Sequence, residues 1–190
     1  MQVYFVRHGQ SESNLGGFFG GWAQVSLTEV GEKDALRAGR FLREISFDKV
    51  FSSDIRRAIQ TQQLALPDAV CERTELLREF DVGSLEGRLI RDCQEELGPE
   101  FQANRFHYDF TTYGGESNAM VLDRVSRFMK RLEGENWETV AAFSHAGTIR
   151  CVLEYVTGVT IPKQSLLCRN GGIFLFDYTD GKWRLECWNL

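Results

Sequence analysis

The stretch Val3-Tyr4-Phe5-Val6-Arg7-His8-Gly9 is where the architecture of this 190-residue chain can be read most directly. Its four apolar residues favour strands and follow one another without a polar interruption, which is typical of a strand buried on both faces of a parallel sheet. In open α/β sheets, ligands bind at the carboxyl ends of the strands, so Arg7 and His8 stand where chemistry is expected. Gly9 allows the backbone to turn sharply beside a ligand.

A second strand repeats this arrangement later in the chain. Residues 140–144 form another apolar run, and His145 follows it directly. A single histidine after a strand is more often a solvent-facing side chain than part of a site. Two strands that each deliver a histidine to the carboxyl edge of one sheet are difficult to attribute to packing. We therefore predict a functional site that contains His8 and His145.

The size and composition of the chain indicate one globular domain over residues 1–190. Hydrophobic residues make up 43% of the sequence, with 14 phenylalanines, as in chains with a packed core. The formal net charge of −5 disfavours nucleic acid as a partner, because nucleic-acid binding requires a basic face. No apolar run approaches the ~20 residues that cross a bilayer, and the N-terminus lacks a signal-peptide pattern, so we expect no membrane partner and a cytoplasmic location.

The cysteines predict neither a disulfide framework nor a structural zinc site. They are odd in number, widely spaced and without a Cys-x-x-Cys pair. We interpret them as small buried side chains in a reducing compartment. Their positions are Cys71, Cys93, Cys151, Cys168 and Cys187.

Alternating strand and helix patterns predict a three-layer α/β/α sandwich with a mostly parallel central sheet and an antiparallel edge. The predicted edge is a hairpin formed by residues 173–176 and 183–188. Further strands are expected at residues 49–52 and 69–71. Helices are expected from Thr28 to about Arg43, from residue 55 to Pro67, from Ser117 to Gly134, and from residue 149 to Gly158.

Two arginines occupy the first turn of the second predicted helix. Ser53 or Asp54 is expected to cap this helix, which places Arg56 and Arg57 close to its N-terminus. Positive charge there is unfavourable to the helix dipole, whereas a bound anion is favoured. A bound anion would explain this placement, although a solvated surface position is the simpler explanation for one of the two arginines.

Two segments have alternative interpretations. The glycine-rich loop of residues 15–22 carries Phe18, Phe19 and Trp22, which could line a substrate pocket or pack onto the core. Residues 88–113 break the strand–helix alternation, and we predict a cap insertion there with a polar helix at about 89–97. Its aromatic run at 106–113 is as consistent with packing under a loop. His107 has no identifiable partner; it could be a substrate contact or a spectator, and we favour the spectator.

The predicted site suits phosphoryl transfer without a metal. A neutral imidazole is a competent nucleophile toward phosphorus and forms a covalent intermediate. The transferred group spreads negative charge over three oxygens, which arginines and a second histidine can stabilise. The sequence contains no aspartate-rich metal cluster and no phosphate-binding loop with a Gly-Lys pair. Acidic residues at 79, 81 and 86 lie among apolar ones, where a carboxylic acid can serve as a proton donor.

Six motifs together resemble the histidine phosphatase superfamily, in its phosphoglycerate mutase-like branch. They occur in the expected order between position 2 and about position 155, and the set is highly specific although each motif alone is weak. The motifs are Val6-Arg7-His8-Gly9-Gln10-Ser11-Glu12-Ser13-Asn14, Leu27-Thr28-x-x-Gly31, Ser53-Asp54-Ile55-Arg56-Arg57-Ala58, Leu77-Arg78-Glu79 with Gly83 and Glu86-Gly87, Gly114-Gly115-Glu116-Ser117, and Ser144-His145-Ala146-Gly147-Thr148-Ile149-Arg150.

The resemblance implies a role for each matching residue. His8 would be the phosphorylated nucleophile and Glu79 the proton donor to the leaving oxygen. No metal or other cofactor is implied. The residues implied to hold the phosphoryl group or substrate are Arg7, Asn14, Arg57 and His145, with the backbone of Gly21 and Ala146. Ala146 departs from the family's usual glycine, and Gln24 and Ser26 depart from the Asp and Pro usual before Leu27.

The resemblance leaves several activities open. The compact chain is similar to the α-ribazole phosphatase and broad-specificity phosphatase types, which implies a metal-independent hydrolase of small phosphomonoesters. Phosphoglycerate mutase-type transfer shares the same chemistry and is the first alternative. A non-catalytic phospho-ligand sensor and a protein phosphohistidine phosphatase are further alternatives. The sequence identifies neither the physiological substrate nor the oligomeric state.

Overall fold

The computed structural model describes residues 1–160 and 165–190. Six strands form one sheet in the order β3-β2-β4-β1-β5-β6. The strands β1 to β4 pair in parallel, whereas β5 is antiparallel to β1 and β6 is antiparallel to β5. The strand bounds are Gln2–Arg7 (β1), Lys49–Ser53 (β2), Cys71–Thr74 (β3), Thr139–Ser144 (β4), Ile173–Thr179 (β5) and Lys182–Trp188 (β6).

Six α-helices of the described residues surround the sheet. Their bounds are Glu12–Gly16 (α1), Glu29–Leu42 (α2), Arg56–Ala65 (α3), Ile90–Phe106 (α4), Asn118–Glu133 (α5) and Ala146–Thr157 (α6). Within residues 1–160 and 165–190, no helix is long and apolar enough to cross a membrane.

The alternation of side chains along β1 produces the two halves of the core. Tyr4 and Val6 pack on one face of the sheet with residues of α2 and α3. Val3 and Phe5 pack on the other face with residues of α4, α5 and α6. Because successive residues of a strand point to opposite faces, one apolar run can fill both halves of the core. The predicted three-layer α/β/α sandwich with an antiparallel edge is confirmed.

Several helix ends lie where the sequence predicts them. Thr28 accepts a hydrogen bond from the Gly31 amide at the start of α2, and Ser117 accepts one from the Met120 amide at the start of α5. Gly158 ends α6 with a left-handed backbone conformation (φ 69°), which costs glycine little.

The predicted cap of α3 is wrong. Its first flanking residue is Ile55, which has no side-chain capping bond, and neither Ser53 nor Asp54 takes that position. Both side chains have tertiary partners instead. The Ser53 hydroxyl bonds the His145 ring, and the Asp54 carboxylate accepts two hydrogen bonds from Arg78.

Two further boundaries differ from prediction. The third strand begins at Cys71 rather than residue 69, and Val70 is 94% exposed. Helix α4 extends to Phe106, well past the predicted end at residue 97. It contains a break at Gly98, whose φ of 63° is unfavourable for other residues, and Pro99 then begins the second half. The cap role of residues 88–113 stays a prediction.

Replacing Phe5 with alanine should destabilise the fold strongly. Phe5 is fully buried and makes edge-on ring contacts with Phe128 and Phe176. Removing a buried phenylalanine costs about 3–5 kcal/mol, because apolar burial is lost and a cavity remains. Urea unfolding of Phe5→Ala measures this, and Val70→Ala is the exposed control. A loss below about 1 kcal/mol in Phe5→Ala would contradict the packing described.

Candidate active site

Parallel pairing of β1 with β4 brings the two predicted histidines together. In this register Arg7 lies opposite Ser144, so His8 and His145 leave the sheet side by side, with ring centroids 5.2 Å apart. The turn after β1 is tightly packed, since a Cβ atom on Gly9 would lie 2.1 Å from the Gly31 carbonyl oxygen. Only glycine allows this approach.

The His8 ring is held as a neutral imidazole with one unprotonated nitrogen. Its Nδ1 lies 2.7 Å from the Gly9 carbonyl oxygen, which can only accept, so Nδ1 carries the proton. Nε2 therefore has its lone pair available and accepts a hydrogen bond from the Arg57 Nε at 3.2 Å. Burial and the charges of Arg57 and Arg7 hold the pKa of His8 well below its usual range. The arrangement presents a nucleophilic nitrogen at neutral pH.

Two arginines place positive charge beside His8. Arg57 is buried, and its two terminal nitrogens donate to the carbonyl oxygens of Ala23 (3.2 Å) and Gly21 (2.9 Å). Burial, the main cause, lowers the pKa of Arg57 to about 10, so it stays charged at neutral pH. Arg7 donates to the Cys168 carbonyl, and its buried Nε has no partner among the described residues. Arg56, by contrast, is exposed.

His145 lies behind His8 and is fully buried. Its Nε2 is 2.9 Å from the Ser53 hydroxyl oxygen. Burial, followed by the positive charge of Arg57, holds the pKa of His145 well below its usual range, so this ring is also neutral. Its Nδ1 has no hydrogen-bond partner in the part of the chain that the structure describes.

Glu79 lines the same cavity as His8, and hydrogen bonds fix the orientation of its carboxylate. One carboxylate oxygen accepts from the Phe80 amide (3.0 Å) and the other from the Gly147 amide (3.2 Å). Its backbone carbonyl accepts from the Trp22 indole (2.8 Å) and from Arg124 (3.0 Å). The carboxyl group therefore has a defined position next to the N-terminus of α6.

A buried ion pair supports the segment that carries Glu79. Arg124 and Glu116 form two hydrogen bonds of 3.0 and 3.1 Å, and both are buried. Arg124 also donates to the Leu76 carbonyl, and Glu116 accepts from the Asp81 amide. The Gly-Gly-Glu-Ser motif thus has a supporting role in this structure.

The other predicted contacts lie around the same space. Asn14 is exposed, and its Oδ1 accepts from the Ser11 amide and from Asn170. Gly21 and Ala146 both line the cavity, and Ala146 is the first residue of α6. The structure therefore brings all the predicted site residues into one region, although their roles stay predictions.

The resulting cavity has a volume of about 230 Å³. Sequence reasoning missed Arg105 and Arg150 among its lining residues, although Arg150 ends a motif that carries the family resemblance. Apolar and aromatic side chains form much of the remaining wall. These are Phe18, Phe19, Phe80, Val82, Ile90, Tyr108 and Phe110.

The aromatic residues of the glycine-rich loop both line the cavity and pack onto the core, so each of the two interpretations is correct in part. Phe18 and Phe19 line the cavity, and Phe19 also packs in the core against Phe101 and Phe110. Trp22 instead covers Arg78, whose guanidinium lies 4.7 Å from the ring. His107 is exposed at the end of α4. Within residues 1–160 and 165–190 no group of three or more His, Cys, Asp or Glu residues is arranged to hold a metal ion.

Comparison with known proteins gives the family. The model of the histidine phosphatase superfamily, branch 1, matches residues 3–190. The chain belongs to this superfamily. Its members act through a phosphohistidine intermediate, and this superfamily member carries a histidine with an unprotonated Nε2 in its cavity.

Similar proteins of this superfamily have different names. A protein of Salmonella choleraesuis (strain SC-B67) named "Probable phosphoglycerate mutase GpmB" is 31% identical over 99% of this chain and 90% of its own length. A 2,3-bisphosphoglycerate-dependent phosphoglycerate mutase of Beijerinckia indica is 35% identical over 86% of each protein. The crystal structure of the α-ribazole phosphatase from Shigella flexneri is 27% identical, with a TM-score of 0.88, and the match covers 100% of this chain and 96% of that one.

The two buried histidines should make folding stability depend on pH. Both have a lowered pKa in the folded protein, so below about pH 6.5 the unfolded chain binds protons that the folded chain does not. Stability should therefore fall as pH falls below that value, by up to about 1.4 kcal/mol per pH unit for each histidine.

Urea unfolding between pH 7.5 and 5.5, compared in wild type and His8→Gln, measures this contribution. The variant should lose less stability over this range than wild type. His107→Gln controls for the loss of an exposed histidine. Equal slopes in wild type and His8→Gln would refute the assignment of a neutral, buried His8.

Proposed function

We propose that this protein hydrolyses small phosphomonoesters through a phosphohistidine formed on His8, without a metal ion. The observation that carries the proposal is the unprotonated Nε2 of His8, which lies in a cavity shared by Arg7, Arg57 and Glu79. A neutral nucleophile, fixed positive charge and a carboxyl group are the three components that this transfer requires.

In the first step, the lone pair of His8 Nε2 attacks phosphorus. The N–P bond forms as the P–O bond to the leaving group breaks, and Glu79 gives its proton to the leaving oxygen. Loss of the Arg57–His8 hydrogen bond frees Nε2, and the same guanidinium can then bind a phosphoryl oxygen. The covalent intermediate divides one difficult displacement into two easier ones.

In the second step, a water molecule attacks the phosphohistidine. Glu79, now a carboxylate, takes a proton from that water, the N–P bond breaks, and inorganic phosphate leaves with His8 neutral again. The Gly9 carbonyl supports both steps, because it holds the Nδ1 proton and stabilises the ring when the phosphoryl group is attached.

The charge on the transferred phosphoryl group is balanced by Arg7 and Arg57, and neutral His145 and the Ala146 amide are hydrogen-bond donors to it. These groups are already in place before substrate binds, since Arg57 is held by two backbone carbonyls and Ala146 begins a helix. Preorganised donors in a buried site stabilise developing charge without a reorganisation cost. Asn14 would contribute at the exposed side of the cavity.

Two further arginines favour a leaving group that carries its own negative charge. Arg105 and Arg150 line both the His8 cavity and an adjoining space of about 570 Å³. Within residues 1–160 and 165–190 neither forms an ion pair with a carboxylate. Of the described residues that line the His8 cavity, four are arginines and Glu79 is the one acid. Arg7 and Arg57 suffice for the phosphoryl group, which leaves Arg105 and Arg150 for a carboxylate or second phosphate.

Mutase-type transfer is the second candidate, and the same two arginines favour it. A phosphoglycerate carries the carboxylate that they would bind, and the relatives named above include phosphoglycerate mutases. We favour hydrolysis because Asn14 and Arg105, which line the cavity, both keep solvent-accessible surface, so water can enter the cavity that contains His8. A mutase must exclude that water.

His8→Ala should abolish phosphate release. Release from 4-nitrophenyl phosphate, with EDTA present, is compared in wild type, His8→Ala and His107→Ala, the last being the exposed control. Wild type and His107→Ala should be active, and wild type should acquire acid-labile phosphate on His8. Arg57→Ala should lower kcat by about 10²–10³, as expected for loss of one stabilising donor. Near-normal activity in His8→Ala would contradict the mechanism.

The substrate preference should depend on Arg150. We expect wild type to hydrolyse 3-phosphoglycerate at least about tenfold more efficiently than racemic glycerol phosphate, in which a hydroxymethyl group replaces the carboxylate. Arg150→Met should lose most of this preference, whereas Arg40→Met at an exposed position should keep it. Equal kcat/KM values for both esters in wild type would exclude an anionic leaving group.

The assay with 3-phosphoglycerate also separates hydrolysis from mutase activity. With 2,3-bisphosphoglycerate added, a mutase forms 2-phosphoglycerate from 3-phosphoglycerate without releasing stoichiometric phosphate. Predominant isomerisation would replace the proposed hydrolase by the second candidate.

A further inference from the structure

Ser53 and His145 form a buried polar pair whose proton arrangement can be worked out. Both residues are fully buried, and the Ser53 Oγ lies 2.9 Å from the His145 Nε2. Ser53 is the last residue of β2, and His145 directly follows β4, the neighbouring strand. Because both side chains are shielded from solvent, the hydrogen bonds of this pair have to be satisfied by the protein or by a ligand.

The Ser53 hydroxyl has one hydrogen to donate. Its oxygen already accepts from the Ile55 amide at 3.3 Å. If the hydrogen is donated to His145 Nε2, both the hydroxyl and Nε2 are satisfied. If Nε2 carried the ring proton instead, the hydroxyl hydrogen would need another acceptor, and the described residues provide none. Satisfaction of the buried hydroxyl therefore favours a bare Nε2 on His145.

A bare Nε2 places the ring proton of neutral His145 on Nδ1. This nitrogen is buried and has no partner in residues 1–160 and 165–190. An unsatisfied buried N–H costs about 1–3 kcal/mol, so a donor left in this state points to a ligand oxygen that completes it. The ring lies against His8, where the phosphoryl group is proposed to be attached.

We infer that Ser53 is a positioning residue, which holds His145 in the Nδ1–H tautomer so that this N–H donates to the transferred phosphoryl group. The inference rests on the proposed function and assigns to Ser53 a role in its chemistry. The opposite tautomer would turn a lone pair toward the phosphoryl oxygens, and that contact is repulsive. His8 and His145 then share one tautomer but use different nitrogens: His8 offers the lone pair of Nε2 and His145 the proton of Nδ1.

Nuclear magnetic resonance tests the tautomer in the unmodified protein. The chain has three histidines, so ¹⁵N-histidine labelling gives few signals, and His107→Gln and His145→Gln assign them. We expect a protonated Nδ1 and an unprotonated Nε2 on His145, and a change in the Nδ1 resonance when inorganic phosphate is added. A protonated Nε2 on His145 in the wild type would overturn the inference, whatever the variants do.

Kinetics of matched serine variants test whether the hydrogen bond from Ser53 to His145 contributes to catalysis. Ser52→Ala removes another buried serine of the same strand, whose hydroxyl donates to the Ser53 carbonyl. We expect Ser53→Ala to lower kcat for 4-nitrophenyl phosphate by about 10- to 10²-fold, since a misplaced ring proton removes a donor from the transition state. Ser52→Ala should stay within about twofold of wild type, and Ser53→Thr, which keeps the hydroxyl, should keep the Nδ1–H tautomer.

The outcomes separate this inference from the proposed function. Wild-type kcat in a folded Ser53→Ala with an unchanged His145 tautomer would refute the role of Ser53, while acid-labile phosphate on His8 would still support the hydrolase. Absence of that phosphate in wild type would refute the hydrolase, and the resonances of His145 would still report its tautomer.

Discussion

The parallel pairing of β1 with β4 is the contact on which the candidate site depends. Each strand is buried on both faces, so its register cannot slip without moving apolar side chains to the wrong layer. With Arg7 opposite Ser144, the two histidines leave the sheet at the same level. The Gly9–Gly31 approach then fixes the turn that follows β1, because any side chain at either position would overlap the opposing backbone.

Burial determines the charge state of the histidines at the cavity and leaves that of Arg57 unchanged. The lowered pKa values of His8 and His145 keep both rings neutral, and Arg57 keeps its charge because its ordinary pKa is so high. Three backbone carbonyls accept hydrogen bonds from Arg7 and Arg57, and a carbonyl does not neutralise a guanidinium as a carboxylate would. The guanidinium charges therefore remain available for an incoming anion.

The sequence predicts the parts of this structure that depend on local patterns. Two apolar runs ending in histidine, and helix starts at Thr28 and Ser117, are signals contained within a few residues. The length of α4 was not predictable in that way, because Gly98 and Pro99 indicate a helix end whereas the chain resumes a helix after them. Ser53 resembles a helix cap because it is a serine shortly before a helix. Its actual partner, His145, is 92 positions away and gives no local signal. No sequence pattern indicates that Arg105 and Arg150 line one cavity, because the fold brings them together from distant parts of the chain.

The break at Gly98 has a consequence for how specificity could be altered in this protein. Before the break, the chain is tied to the glycine-rich loop: the Ile90 amide donates to the Gly17 carbonyl and the Phe19 amide to the Arg88 carbonyl. After the break, the second half of α4 carries Arg105, which lines the cavity. A Cβ atom placed on Gly98 would meet no neighbouring atom within 4 Å, so the left-handed backbone rather than crowding favours glycine at this junction. Residues 99–107 are anchored in the core by Phe101 and reach the cavity through Arg105, so a change at Arg105 could alter leaving-group preference while the phosphoryl-transfer centre is inherited intact.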